Sequence, residues 1–334
     1  VLGVGTVGTI YAATERESGR SFAIKKLHPR VSQDPLIRAR FRREMAVMQR
    51  LDHPNIISFF GRGEDDGQLF YVMELVEGGT VKELLLGSGR FEWPAVIDVA
   101  SQICSALQHA HNHGVIHRDL KPGNLFLTKT GEVKLGDFGI ARDLKNADIT
   151  AAGMTVGTHA YMAPEQVTGD DSVSGKADLY SLGCCLFEML VGRTPFVGET
   201  PVQLFEQHLK AQPARVRDFV SDCPPELDEI VDKLLAKNPD DRPFNARNVQ
   251  ATMLQLGDSP LPDDEDDEGP TLADAPPSAE ASNKTVASQG REILKTRIEN
   301  RFSASAASEI SWGKLAAMFV AIAGLIAIAA LVRK

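Results

Sequence analysis

Paired cysteines are what this chain most plainly lacks. The four in its 334 residues, Cys104, Cys184, Cys185 and Cys223, show no C-x-x-C spacing. That argues against a thiolate metal site, and free thiols in a reducing cytoplasm are the simplest account. Excess positive charge is missing too: 36 Lys and Arg stand against 45 Asp and Glu, for a net charge of −9. Such a balance offers no basic footprint for nucleic acid, and no nucleic-acid partner is expected. Most of the acidity is local. Asp258, Asp263, Asp264, Glu265, Asp266, Asp267, Glu268, Asp274 and Glu280 fall in residues 258–290 beside the single cation Lys284, a net −8. With Pro, Ser and Ala between these charges the stretch cannot bury enough apolar surface to fold, so residues 257–290 read as a disordered acidic linker.

Long apolar runs are absent until the end. Leu315–Val332 is 18 uncharged residues between Lys314 and Arg333-Lys334. As a helix it reaches roughly 27 Å, close to the thickness of a bilayer core. The soluble alternative, a buried core helix, has nothing folded nearby to bury against. Residues 314–334 therefore read as one transmembrane helix with a short basic end, Trp312 as interfacial anchor, and residues 291–313 as a juxtamembrane segment. There Leu294, Ile298 and Phe302 fall at four-residue steps on one helical face. That suits interfacial lying, pairing between chains, or nothing more than a short helix. Arg291, Lys295, Arg297, Arg301 and Lys314 would hold the segment against anionic lipid.

What the chain does have is the run His117-Arg118-Asp119-Leu120-Lys121-Pro122-Gly123-Asn124, followed by Asp137-Phe138-Gly139. The run fits H-R-D-L-x-x-x-N, and the triplet fits a metal-binding D-F-G. Phosphoryl transfer needs these types, because its transition state spreads negative charge over the phosphoryl oxygens. Asp119 can accept from an attacking hydroxyl, Lys121 can neutralise the moving phosphate, and Asn124 with Asp137 supplies hard oxygen ligands for Mg²⁺.

Upstream, Gly3-Val4-Gly5-Thr6-Val7-Gly8-Thr9-Ile10 reads G-x-G-x-x-G-x-[V/I]. Alone that pattern equally opens a dinucleotide-binding unit, which requires a helix straight after the glycines. Here strand-like residues continue through Thr14, turn at Glu17-Ser18-Gly19-Arg20 and return as Phe22-Ala23-Ile24-Lys25. The pattern predicts a hairpin over phosphates, in which Gly3, Gly5 and Gly8 let backbone N–H groups approach. Glu44 lies 19 residues past Lys25, in a segment where Leu36, Ile37, Phe41, Met45, Met48 and Leu51 recur at helical spacing. A lysine on a strand and a glutamate on a facing helix suit the ion pair that orients nucleotide phosphates.

Together these features resemble the Hanks-type (eukaryotic-like) serine/threonine protein kinases, and among them the bacterial membrane-anchored members, from Val1 to about Leu256. The resemblance implies an α+β, bilobal fold. Residues 1–76 would form an antiparallel sheet with one facing helix, and residues 77–256 a mainly helical lobe. It implies ATP with Mg²⁺, or Mn²⁺ as alternative metal, and protein substrates bearing Ser or Thr. Val76 would bond adenine from the hinge beside Glu74, with Met73 as gatekeeper, Leu2, Ile10 and Ala23 as ceiling and Phe126 as floor. Phe126 departs from the usual aliphatic floor residue, which bears on inhibitor preference. The chain opens at Val1 inside the glycine-loop strand without an initiator Met, so a fragment with its first strand truncated is expected.

Later positions match the same pattern. Glu165 of Ala163-Pro164-Glu165 would pair with Arg242 of Asp241-Arg242-Pro243, and Asp178 would brace the catalytic-loop backbone. Thr158 with Lys121 is what serine/threonine specificity looks like. Arg118 beside the catalytic aspartate implies an activation segment ordered by phosphate, with Thr150 and Thr155 as regulatory candidates. A homodimer for trans-autophosphorylation and a single-pass placement in the cell membrane, with the catalytic lobes facing cytosolic ATP, are further expectations. Helices are predicted over Pro94–His113, Lys176–Val191, Pro201–Leu209, Glu226–Ala236 and Ala246–Leu256. His109, His111 and His113 alternate at a helix end without carboxylate or cysteine partners, and read as solvated rather than metal-binding. A pseudokinase scaffold and a small-molecule kinase are the rival readings. Intact Lys25, Asp119 and Asp137 speak against the first, and the A-P-E element with its long activation segment against the second.

Overall fold

The computed structural model describes residues 1–5, 7–138, 156–170, 173–259 and 285–303. The N-terminal lobe is a five-stranded antiparallel sheet of β1 (Gly3–Val4), β2 (Gly8–Thr14), β3 (Ser21–Leu27), β4 (Phe59–Asp65) and β5 (Gln68–Glu74), in the order β1-β2-β3-β5-β4. A short helix, α1 (Pro29–Gln33), leads into α2 (Pro35–Met48). Asp34 starts α2 by accepting from the N–H groups of Leu36 and Ile37, and Pro35 fits the first turn because its missing N–H would be unpaired there anyway. α2 buries Phe41 and Met45 against Leu69, Tyr71 and Met73 of β5. Side chains alternate along a strand, so these three β5 residues share one face. Leu36, counted in the apolar stripe, is instead 70% exposed at the first turn, where α2 has not yet reached the sheet.

The second lobe is built on α4 (Trp93–Asn112) and α6 (Gly175–Val191), with α3 (Val81–Ser88), the hairpin β6 (Leu125–Leu127) and β7 (Val133–Leu135), α5 (Pro164–Thr168), α7 (Pro201–Lys210), α8 (Pro225–Leu234) and α9 (Ala246–Gly257) around them. α6 is apolar nearly all round and buried nearly all round, as a central helix must be. Thr80 and Glu83 cap the start of α3 reciprocally, and Thr200 and Gln203 do the same for α7. The five helices predicted here lie within two residues of their expected ends. α1, α3 and α5 lack a long apolar period and went unpredicted. Met48, at the end of α2, packs against the cores of both lobes.

The C-terminal segment departs most from expectation. Residues 286–303 form a helix, α10, that lies on the second lobe with Val286, Leu294 and Ile298 buried. Of the stripe that suited interfacial lying, chain pairing or a short helix, Leu294 and Ile298 are thus packing residues while Phe302 is exposed, and the described residues resume at 285, inside the stretch assigned to the linker. Among the described residues no helix is long and apolar enough to cross a membrane. Leu315–Val332 and residues 260–284 lie outside them.

Candidate active site

Asp178, at the start of α6 and fully buried, accepts from the backbone N–H groups of His117 and Arg118 at 2.8 Å each. These bonds hold Arg118 at φ +62°, a left-handed conformation that a non-glycine residue adopts only when its surroundings impose it. The next residue is Asp119. Lys121 Nζ donates to Asp119 Oδ2 at 2.7 Å. The Asn124 amide donates to the Asp119 carbonyl at 2.7 Å and to Oδ2 at 3.2 Å. With its NH₂ so engaged, Asn124 has its amide oxygen left for a cation.

Asp137 follows β7 at φ +49°, and its Oδ1 lies 2.5 Å from Lys25 Nζ. Burial pushes the Asp137 carboxyl up, but the cations of Lys25 and Lys121 hold it below the ordinary carboxylate range, so it is ionised. Burial disfavours the Lys25 ammonium, yet Tyr71 and Asp137 raise it above the usual lysine value. Lys25 therefore pairs here with Asp137 rather than with Glu44, the partner read from spacing. Asp137 sits directly at the end of the Lys25 side chain and shares it with Tyr71, which faces Lys25 across the β3–β5 ladder. Tyr71 is buried, and its hydroxyl makes a long 3.5 Å contact to Asp137 Oδ1.

Above this pair, Ile10 and Ala23 occupy neighbouring strands, with Ala23 opposite Met73. Ile10, Val76 and Phe126 all pack against the apolar cluster of the first lobe that holds Ala23 and Met73, so the residues read as ceiling, gatekeeper, hinge and floor belong to one cluster. Leu2 is exposed at the cleft's rim, its N–H donating to the Ile10 carbonyl at 2.8 Å. The glycine turn is closed by Gly5 N–H to the Gly8 carbonyl at 2.9 Å. His28 grips it from below through Nε2 and the Gly5 carbonyl, also at 2.9 Å. Glu74, at the end of β5, pairs with Lys134 at 2.8 Å. Beneath the site Phe138 is buried against the His117 ring, centroids 4.8 Å apart, and His117 Nε2 contacts the Gly136 carbonyl. Far from it, Glu165 and Arg242 form a buried two-pronged ion pair.

A strand hairpin over a cleft, a lysine on β3, and an Asp-Lys-Asn cluster facing a second aspartate are the arrangement of one family, whose protein kinase domain matches residues 1–253. The chain belongs to the protein kinases. It is 36% identical over 295 residues to the serine/threonine-protein kinase PknB of Mycolicibacterium smegmatis, covering 85% of this chain and 47% of that protein. To a probable serine/threonine-protein kinase of Streptomyces coelicolor it is 40% identical over 259 residues, covering 76% of this chain and 38% of the relative. The chain thus spans less than half the length of these relatives. Among solved structures it is similar to the PknI kinase domain of Mycobacterium tuberculosis, with a TM-score of 0.60 and 30% identity over 76% of this chain and 92% of that one. Rad53 1–466 in complex with AMP-PNP gives 0.63, at 30% identity, over 75% and 62%. These relatives place the chain among the Hanks-type serine/threonine kinases.

Thr150 and Thr155 lie outside the described residues of this kinase. Thr158 is placed by its backbone alone, in a 3₁₀ turn over Val156–Tyr161. The histidine series divides. His111 Nε2 contacts Asp178 Oδ2 at 2.8 Å and so supports the catalytic-loop brace, a role that helix-end solvation missed. His113 bonds back to the His109 carbonyl, and among the described residues no group of three His, Cys, Asp or Glu side chains could hold a metal. Tyr71 and His28 also escaped the sequence reading. The signal for Tyr71 was there: it is the one polar-tipped side chain on the inward face of β5, two residues before Met73.

Proposed function

We propose that this chain transfers the γ-phosphate of ATP to Ser and Thr hydroxyls of proteins, from a domain tethered at the cytosolic side of a membrane. The observation that carries the reading is the Asp119 carboxylate held between the Lys121 ammonium and the Asn124 amide. A substrate hydroxyl placed there would hand its proton toward Asp119 as its oxygen attacks, and Lys121 would offset charge on the transferring phosphate. Lys25 would fix the nucleotide phosphates, exchanging its present contact with Asp137 for the expected pair with Glu44 on α2. The Gly3, Gly5 and Gly8 backbone would cover them, and Val76 beside Glu74 would seat the adenine between Ala23 and Phe126. The Asn124 amide oxygen and the ionised Asp137 carboxylate are hard donors that fit Mg²⁺, with Mn²⁺ as alternative. Such a metal neutralises phosphate charge.

Arg118 and the threonines Thr150 and Thr155 would form a switch, in which a phosphate orders the activation segment and raises activity. Transfer between two copies of the chain would install it. Leu315–Val332 supports the membrane placement on length and apolarity alone. The experiment is radiolabel transfer from ATP to a generic Ser/Thr protein substrate. Asp119→Asn should remove nearly all transfer while retaining nucleotide binding, and Lys25→Met should also disable it. Unchanged transfer by Asp119→Asn would overturn the mechanism.

A further inference from the structure

Helix α10 lies on the catalytic domain through a built interface. Its first turn continues from the end of α9, with Val286 N–H donating to the Ser259 carbonyl and Ala287 set against Gly257. One turn on, Gly290 meets the start of α4 so closely that a Cβ there would lie 2.2 Å from the Pro94 carbonyl oxygen. Only glycine permits that approach. Arg291 then clasps Asp98 with two bonds, Nε to Oδ2 at 2.7 Å and Nη2 to Oδ1 at 2.8 Å. Arg297 donates to Ser88 Oγ, the Arg90 carbonyl and Glu92, with its guanidinium 4.9 Å from the centre of the Phe91 ring. Of the basic residues read as lipid-facing, Arg291, Lys295, Arg297 and Arg301 are thus committed to carboxylates and carbonyls of the same chain, and Lys314 lies outside the described residues.

The last described turn reaches the hinge. Arg301 Nη2 pairs with Glu83 at 3.0 Å, and Nη1 makes a long 3.4 Å contact to the Gly78 carbonyl. The guanidinium fills the space beside Gly79, where φ is +84° and a Cβ would fall 1.7 Å from Arg301 Nη1. Glu83 is itself the capping partner of Thr80, and the Gly78 N–H and Gly79 carbonyl are bonded to Leu127 on β6. The hinge's outgoing end is therefore held from the floor of the cleft by β6 and from outside by Arg301.

We propose that α10 is a working part of the catalytic domain and that Arg301 is a positioning residue for the nucleotide hinge. By fixing the Gly78 and Gly79 backbone two residues after Val76, Arg301 sets where the adenine-bonding strand sits. It acts on ATP affinity without touching ATP. Because α10 leads in sequence toward Leu315–Val332, displacement of that segment would reach the nucleotide site through this contact.

The inference rests on the ATP-dependent reading. If that reading fails, the unmodified full-length chain transfers no phosphate, whereas failure of this inference leaves its transfer intact. The test is steady-state transfer by full-length Arg301→Ala, Arg301→Glu and the conservative Arg301→Lys, each also followed by thermal melting. Arg301→Ala should raise the KM for ATP about fivefold, the scale of one lost hydrogen bond, with kcat within a factor of about two. Arg301→Glu should raise it further, because a carboxylate then faces the Gly78 carbonyl, and Arg301→Lys, which keeps a donor and a positive charge beside Glu83, should lose less than Arg301→Ala. The buried Leu294 and Ile298 and the Arg291 clasp keep α10 folded in these variants. An unchanged KM for ATP in Arg301→Ala, or a KM that moves only in step with the melting temperature, would overturn the proposal.

Discussion

Arg242 closes on Glu165 through two parallel hydrogen bonds, Nη1 to Oε1 at 2.7 Å and Nη2 to Oε2 at 2.9 Å, with the guanidinium wholly buried. Its remaining N–H groups donate to the carbonyls of Lys176, Ala236 and Lys237. The two halves of the pair are therefore not equivalent. Arg242→Met leaves a buried carboxylate and three carbonyls without their donor, and should cost about 3–5 kcal/mol of stability. Glu165→Gln keeps one acceptor for Arg242 and the three carbonyl bonds, though its NH₂ then faces the second Arg242 N–H and the cation loses its counter-charge, so it should cost less than Arg242→Met but more than about 1 kcal/mol. Denaturant unfolding of both variants checks the ranking, and equal losses would contradict it.

Tyr71 gives a second prediction. Its hydroxyl lies beside the Lys25 and Asp137 pair, so Tyr71→Phe keeps the ring in the core but removes the polar tip. Transfer efficiency should fall by about a factor of five to ten, the scale of one ordinary hydrogen bond, because the 3.5 Å contact to the Asp137 carboxylate is long. The fall should be accompanied by a higher Mg²⁺ requirement, because Asp137 loses a partner that helps to hold it. Melting should move little. An unchanged metal titration in Tyr71→Phe would reduce the residue to a core side chain.

His208 ties stability to pH. It is fully buried on α7, its Nδ1 is 2.9 Å from the Tyr180 hydroxyl, and burial with the nearby Lys237 cation pushes it down to about 4. An unfolded chain takes the proton near pH 6.5, which the native state refuses until about pH 4. Stability should therefore fall as pH drops from 6.5 toward 4, by up to roughly 3 kcal/mol from this group. Lys237, pushed down to about 8 by burial and Arg242, is charged in both states across that window and adds no slope there. His208→Gln should flatten the dependence of unfolding free energy on pH. An equal slope in the variant would assign the effect elsewhere.

The lobes and the residues around Asp119 were legible because each depends on local pattern: glycines before a strand, apolar residues at helical spacing through α2, and the H-R-D-L-x-x-x-N run. Tertiary choices were not. Nothing in the spacing of Lys25 and Glu44 says that Lys25 rests on Asp137, because that depends on where the turn after β7 places a carboxylate. His111 looked solvated because its partner, Asp178, is 67 positions away. The choice left open for α10 has the same root. Leu294 and Ile298 on one face with arginines beside them describe a helix that lies on something apolar ringed by acid. A membrane surface and the α3–α4 face of this domain, with Glu83, Glu92 and Asp98, satisfy that description equally.

That ambiguity makes the end point of a shortened chain decisive. A form ending at Leu256 loses the burial of Val286, Leu294 and Ile298, each on the order of 1.5–3 kcal/mol before ordering costs. It loses the Arg291–Asp98 clasp as well. It should melt lower and aggregate, because the α4 face beneath α10 is then bare. A form ending at Ser303 keeps the whole interface and drops only residues 304–334. It should remain in the soluble fraction, melt like the intact chain and transfer phosphate, while the full-length chain with Leu315–Val332 should stay in a carbonate-washed membrane pellet. Equal melting temperatures for the two shortened forms would mean that α10 contributes nothing to the fold, and full-length protein in the soluble fraction would remove the membrane placement.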